Sequence, residues 1–252
     1  AAEGVRKMAE QLGLHEDAEA VGHLECQVRE AFCKTYWNES RGGFVSDDFE
    51  YDPDDRVQAL AVLCGAAVPE QYPQLKIVFE TVEQACPYME KYVLEALLKM
   101  GEPELALTRM RERYRSMIEN ENSTLWERWP DWSAHPGTIN HAWSGGPLTL
   151  LSQVVAGIRP LSPGWKIISI CPAPGFLKQF SASVDSPQGE IQIVAKKDKM
   201  EWLVEVTVPE GATASADFSA LGAGVVPAVI HSGVWKFKFS GSVEKGAECV
   251  CA

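Results

Sequence analysis

The spacing of apolar residues changes once along this 252-residue chain, near residue 158, and that change demands two different kinds of packing layer. Before it the period is helical. Met89, Tyr92, Val93, Ala96, Leu97 and Met100 recur at the steps that line one face of a helix. Cys86-Pro87 places a proline in the first turn, where its missing N–H costs nothing, and Gly101 marks the end. Leu107, Met110, Tyr114 and Met117 form the next stripe and leave Arg109, Arg111, Arg113 and Arg115 for other faces, so a helical hairpin is predicted. Similar stripes run through Val21, Leu24, Val28 and Phe32, through Val57, Leu60, Ala61 and Cys64, and through Leu75, Val78, Phe79 and Val82. A last one starts near Pro147 and carries Leu148, Leu151 and Val155 to a stop at Gly157. About six or seven helices are expected.

After Pro160 the period is two. Ile191, Ile193 and Ala195 alternate with polar residues, and so do Trp202, Val204, Val206 and Val208. Pro163-Gly164, Pro174-Gly175, Pro187-Gln188-Gly189 and Pro209-Glu210-Gly211 punctuate this region as turns between antiparallel strands would. The expected fold class is α+β and multidomain, with a helical domain over residues 1–158 and an antiparallel β-sandwich over residues 159–252.

Charge narrows the partners. Lys and Arg number 23 against 35 Asp and Glu, a net charge of −12. Residues 1–157 hold 14 basic and 26 acidic side chains, and residues 158–252 hold 9 of each. Such a surface repels polyanions, so nucleic acid is not expected as a partner. No apolar run of about 18 residues exists to cross a bilayer, the N-terminus lacks the order of a signal peptide, and membrane insertion is not expected. The 7 cysteines are scattered without C-x-x-C spacing and read as reduced thiols, which favours a cytoplasmic over a periplasmic setting without deciding it.

Long connections on a helical scaffold are where sites tend to sit, and three stand out: Arg41-Gly42-Gly43-Phe44, Asp52-Pro53-Asp54-Asp55, and Glu127 to Gly146. Asp54 and Asp55 fall where a helix begins and read as capping residues. The third loop concentrates Trp126, Trp129, Trp132 and Trp143, with Glu127 between the first two and His141 near the last. Indole rings beside carboxylate and imidazole groups suit carbohydrate, because flat apolar rings stack on sugar C–H faces while the polar groups bond hydroxyls. A buried aromatic cluster holding the loop accounts for the same residues. Glycosidic cleavage usually needs two carboxyl groups; Glu127 has the setting of one, and no second member is evident in this loop, since Asp131 reads as a turn or cap residue.

The segment Pro87-Tyr88-Met89-Glu90-Lys91-Tyr92-Val93-Leu94-Glu95-Ala96-Leu97 is followed in order by Thr124-Leu125-Trp126-Glu127 and by Asn140-His141-Ala142-Trp143-Ser144-Gly145-Gly146-Pro147. Gly157-Ile158-Arg159-Pro160 and Pro163-Gly164 complete the succession. In order and spacing these pieces resemble bacterial α-L-rhamnosidases of glycoside hydrolase family 78, with their S/T-P-Y turn, T-T-x-W-E segment and H-x-W-S-x-x-P segment. The resemblance implies an (α/α)6 toroid of helical hairpins followed by a C-terminal antiparallel β-domain. It implies an enzyme that hydrolyses terminal α-L-rhamnose from glycosides with inversion. Carried over by position, Glu127 matches the general base and His141 a sugar-contacting histidine. Trp126, Trp129, Trp132, Trp143 and Tyr88 match only by region, as walls of a sugar site.

A six-hairpin toroid needs about twelve helices and roughly 300 residues, about twice what the helical part supplies. In the family the general acid precedes the part that this chain resembles. The expectation is therefore a C-terminal portion that carries the base, lacks the acid, is inactive alone, and self-associates where toroid faces are left exposed. Inversion needs two carboxyls and a water, so no cofactor or metal is expected. Two alternatives remain open: a non-catalytic carbohydrate-binding or scaffold protein, and an (α/α)6 glycosidase of different sugar specificity.

Overall fold

A computed structural model describes residues 1–122, 124–130, 137–222 and 228–240, apart from the Ser240 side chain, and the chain divides into two compact units, Ala1–Ala85 and Cys86–Ala252. In the first, α1 (Ala2–Gln11) and α2 (His15–Tyr36) form a hairpin about Gly13, whose φ of +73° an L side chain would resist. Arg6 of α1 meets Glu25 of α2 at 3.4 Å. A short ladder pairs β1 (Trp37–Asn38) with β2 (Gly43–Phe44), and α3 (Asp55–Leu63) and α4 (Tyr72–Thr81) follow. Asp54 is the N-cap of α3, accepting from the Arg56 N–H at 2.9 Å, as its position in sequence suggests. Buried Gln58 accepts from the Phe44 N–H at 2.7 Å and donates to the Phe44 carbonyl at 3.0 Å, pairing with β2 as a neighbouring strand would. Leu75, Val78 and Phe79 are buried as predicted. Leu24, Val28, Val57 and Leu60, predicted to face a core, are exposed; α3 buries Ala61 as predicted and, with it, Asp55, Gln58, Ala59 and Val62.

The second unit opens with α5 (Pro87–Lys99) and α6 (Pro103–Ile118), joined through Gly101 at φ +80°. Both ends of α5 lie where Pro87 and Gly101 place them. Its buried face, however, consists of Pro87, Glu90, Val93, Leu94, Ala96 and Leu97, with Met89, Tyr92 and Met100 only partly covered. The rotation has an electrostatic cause: Glu90 is wholly buried, held by the Arg109 Nε at 2.7 Å and by the Arg113 Nε at 3.4 Å. Arg109 and Arg113, predicted on outer faces of α6, therefore turn inward, while Arg111 and Arg115 stay exposed. A carboxylate out of water requires such partners, and two guanidinium groups supply them. Beside this cluster, buried Tyr114 donates to the Pro87 carbonyl at 3.0 Å. Burial, then the Glu90 charge, pushes its phenol pKa up, so it remains a neutral donor.

The chain then passes through a loop, a 3-10 turn over Ala142–Gly145, α7 (Gly146–Leu150) and a π-turn over Leu151–Val155 into two facing sheets. One contains β3 (Ile158–Pro160), β4 (Ile167–Ile170), β8 (Thr213–Ala216) and β9 (Ala228–Ile230), in spatial order β3-β4-β8-β9. The other contains β5 (Gln179–Ser186), β6 (Gly189–Asp198), β7 (Glu201–Val208) and β10 (Gly233–Ser240), in order β10-β7-β6-β5. Ile158, Ile168 and Ile170 from one sheet and Ile191, Ile193, Trp202, Val204 and Val206 from the other share one core, as the period of two predicts. All described pairings in the sandwich are antiparallel except β4 with β8, which are parallel. The intervening meander β5–β7 builds the opposite sheet, so the chain re-enters the first one beside β4 in the same direction. Cys26, Cys33, Cys64, Cys86 and Cys171 are free thiols.

Gly157 sits at the crossing from helix to sheet with φ +76°, and a Cβ there would lie 2.1 Å from the Cys171 carbonyl carbon. Gly157→Ala is expected to destabilise the protein by at least about 2 kcal/mol in urea unfolding, from left-handed strain and a displaced backbone. Glu90→Ala, which leaves two buried guanidinium groups facing each other, should cost about 3–5 kcal/mol in the same assay. Glu112→Ala, on the exposed side of α6, should stay within about 0.5 kcal/mol. Equal effects of the two glutamate substitutions would remove the buried cluster from the account.

Candidate functional site

The loop between α6 and the 3-10 turn brings most of the singled-out residues together. Its two arms run antiparallel: the Glu127 N–H donates to the Thr138 carbonyl at 2.9 Å and the His141 N–H to the Leu125 carbonyl at 2.8 Å. The Thr124 hydroxyl adds a bond to the Ile139 carbonyl. Asp131 and Trp132 lie outside the described residues. Below the arms, the buried Ser144 hydroxyl donates to the Trp126 carbonyl, and the Trp126 N–H reaches the Met117 Sδ at 3.4 Å. Gly146 lets α7 start hard against α5, since a Cβ there would meet the Lys91 Cβ at 2.5 Å.

The four indoles do not share one role. Trp126 and Trp129 are 8% and 3% exposed and pack with Tyr114 and Met117 beneath the loop. Trp129 meets the Tyr114 ring edge-on at 5.0 Å and lies 4.6 Å under the Arg113 guanidinium. Of the two explanations that the sequence left open, loop packing describes these two rings: each is covered by α6 side chains. Trp143 is different. It is 42% exposed, lies 4.5 Å from the His141 ring and 5.5 Å from the Tyr88 ring, and Tyr88 is equally exposed. Tyr92, one turn further along α5, extends the group, with ring centroids 5.8 Å apart and hydroxyls 3.3 Å apart.

Glu127 lies within electrostatic reach of His141, whose ring meets that of Trp143. Its Oε2 accepts from the Thr138 N–H at 3.1 Å. That backbone bond is the main cause that holds its pKa below the ordinary glutamate value; partial burial opposes it, and the Thr138 side chain, His141 and Arg128 add to it. The carboxylate is therefore ionised at neutral pH. Gly137 makes this position accessible: at φ +70°, its absent Cβ would stand 2.7 Å from the same Oε2. An ionised carboxylate, an imidazole within reach of its field and a bank of exposed rings can together accept a proton, bond hydroxyls and support an apolar sugar face.

Sequence reasoning missed Arg113, Thr138 and Tyr92. Thr138 acts through its backbone, which leaves no trace in residue type. Tyr92 did carry a signal, the i,i+4 spacing from Tyr88. In the first unit, a groove of about 290 Å³ is lined by Phe32, Tyr36, Phe44, Phe49, Asp54 and Val57, but its carboxylate is spent on capping α3 and on Arg56. Among the described residues no three His, Cys, Asp or Glu side chains are grouped to hold a metal ion, and no helix is long and apolar enough to cross a membrane.

Comparison with known proteins bears on the family and the fold. Residues 157–219 match the bacterial alpha-L-rhamnosidase C-terminal domain. An alpha-L-rhamnosidase of Formosa agariphila is 32% identical over 135 residues, 49% of this chain and 15% of that protein. The structure of native alpha-L-rhamnosidase from Aspergillus terreus superposes with a TM-score of 0.80 at 20% identity, over 94% of this chain and 29% of that one. The enzyme of Streptomyces avermitilis, solved in complex with L-rhamnose, gives 0.74 at 21% identity over 95% of this chain and 26% of its own. These two likenesses concern the fold, and the chain spans less than a third of each of these relatives. Residues 1–155 match the bacterial alpha-L-rhamnosidase six-hairpin glycosidase domain, and the chain belongs to that family.

Proposed function

We propose that this chain is the base-bearing part of an inverting α-L-rhamnosidase, with a helical catalytic portion over residues 1–158 and a supporting β-domain over residues 159–252. The observation that carries the reading is the Glu127 carboxylate, which accepts from the Thr138 N–H and interacts with His141, whose ring in turn lies against the exposed ring of Trp143. In this reading Glu127 takes a proton from a water as that water attacks the anomeric carbon, on the face opposite the departing oxygen. His141 donates to a sugar hydroxyl, and Trp143 and Tyr88 support the apolar face of the ring. Trp126 and Trp129 serve indirectly, by holding the loop.

The departing oxygen needs a proton from a second carboxyl, roughly 6.5–9.5 Å from the first in inverting enzymes. Among the described residues, the groups that shift Glu127 are Thr138, His141 and Arg128, none of them a carboxyl. We assign the general acid to helical hairpins outside this chain, which would also cover Leu24, Val28, Val57 and Leu60; when they are absent, those exposed residues favour self-association. A carbohydrate-binding protein without catalysis would use the same exposed rings, and turnover separates the two readings. With an aryl α-L-rhamnoside, the chain alone is expected to give no hydrolysis above buffer. The full-length protein, with all six hairpins, should turn over and lose about 10²–10⁴-fold in rate as Glu127→Gln. Hydrolysis by the isolated chain would refute the external acid, and an active Glu127→Gln protein would refute the base.

A further inference from the structure

Among the described strands the sandwich has four sheet edges, and three of them carry devices that discourage another strand from pairing. β3 and β9 are each three residues long, and β3 ends in Pro160. β10 carries Lys236 and Lys238, tied to Glu205 at 3.0 Å and to Glu201 at 2.9 Å. β5 has none of these. It runs for eight residues, Gln179–Ser186, without proline, lysine or bulge, and pairs with β6 on one side only.

The ladder shows which of its main-chain groups are unused. The Lys197 N–H donates to the Lys178 carbonyl at 2.7 Å, immediately before β5. By the alternation of an antiparallel ladder, Phe180, Ala182, Val184 and Ser186 then direct their N–H and C=O groups to β6. Gln179, Ser181, Ser183 and Asp185 direct theirs to the open edge, where no main-chain partner meets them among the described residues. We infer that this edge is a dimer interface: β5 pairs antiparallel with β5 of a second copy, about a two-fold axis at Ala182, and joins two four-stranded sheets into one. The inference does not rest on the rhamnosidase reading.

Hydrogen bonding selects the register. With Ala182 on the axis, Ser181 faces Ser183 of the second copy and Gln179 faces Asp185, so every outward N–H and C=O of both strands is paired. An axis at Ser183 would set Gln179 against Pro187, which has no N–H, and an axis at Ser181 would set Asp185 against Leu177, outside the strand. The side chains agree with the Ala182 axis. It sets Phe180 against Val184, on the face that packs towards the core, where both are only half-buried in one copy. On the outer face Gln179 meets Asp185, an amide donor against a carboxylate, and no like charges are opposed. β10 lacks this self-complementarity, since an axis at Phe237 would set Lys236 against Lys238. These matches belong to one sequence read against itself, which singles out a second copy as the occupant.

The test is sedimentation equilibrium on the full-length protein and on two variants of the exposed outer face, S181K/S183K and S181E/S183K. The native protein is expected to dimerise. S181K/S183K opposes lysine to lysine at two symmetric places and should weaken the dimer by about tenfold or more. S181E/S183K opposes glutamate to lysine at the same places and should stay within about threefold of the native constant. Ala182→Cys should also give a covalent dimer under a copper–phenanthroline oxidant, linked 182 to 182 in the peptide map, because facing residues of a non-hydrogen-bonded pair have Cα atoms about 4.5 Å apart. A native protein that stays monomeric at about 100 μM would overturn the inference. So would a dimer that neither double variant alters, which would place the contact elsewhere, for example on the helical face of Leu24 and Val28. Loss of the dimer in both variants, with the far-ultraviolet circular dichroism unchanged, would overturn the Ala182 axis and the inference with it.

Discussion

A buried carboxylate between two guanidinium groups is the constraint on which the geometry of the site depends. Glu90 has no access to water, and Arg109 and Arg113 reach it from the facing helix. Neither partner could be removed cheaply, because an unpaired charge in that position carries its full desolvation cost. The pair of helices is thereby locked in rotation as well as in distance. Arg113 has a second task, since its guanidinium also lies over Trp129, two residues after Glu127. An interaction in the middle of the α5–α6 hairpin is thus mechanically connected to the loop that presents the proposed base.

From Trp129 the connection continues through short steps. Trp129 packs on Tyr114, Tyr114 is tied to the start of α5 at Pro87, and Tyr88 and Tyr92 of α5 meet Trp143 on the far arm. Both arms of the loop are consequently referenced to the same helix. This explains how a loop residue, with no helix or strand of its own, can hold a defined hydrogen bond to the Thr138 N–H. The sandwich contributes from the other end, where the turn at Gly175 sits against the first residues of α6, with Glu104 N 3.3 Å from where its Cβ would be.

Much of this was readable before any coordinates. The period change near residue 158, the Pro87 and Gly101 boundaries of α5, the alternation Trp202, Val204, Val206, Val208 and the cap at Asp54 all carry local signals that tertiary packing did not override. Of the residues named from sequence, His141, Trp143 and Tyr88 follow one another in ring contact, and Glu127 interacts with His141. The inward turn of Arg109 and Arg113 was not readable, because alternating arginines on a helix look like a solvated face until the buried partner, 19 residues before Arg109, is known. Trp126 and Trp129 illustrate the same limit. Two indoles beside a glutamate have the same letters whether they line a ligand or fill the space above Met117, and only the neighbouring helix decides.

The central claim is that the α5–α6 cluster, acting through Trp129, keeps Glu127 bonded to the Thr138 N–H and its pKa below the ordinary glutamate value. The most direct measurement follows the Glu127 carboxyl carbon by 13C NMR through an acid titration, in the native protein and in Arg113→Lys, which keeps a cation for Glu90 but loses the flat group over Trp129. The native carboxyl should titrate below the ordinary glutamate value, so that the base is lost only as pH falls through that lowered midpoint. In Arg113→Lys the midpoint should rise towards the ordinary value as the Thr138 bond loosens. A native midpoint already at the ordinary value, or one that Arg113→Lys leaves unmoved in a folded protein, would contradict the claim.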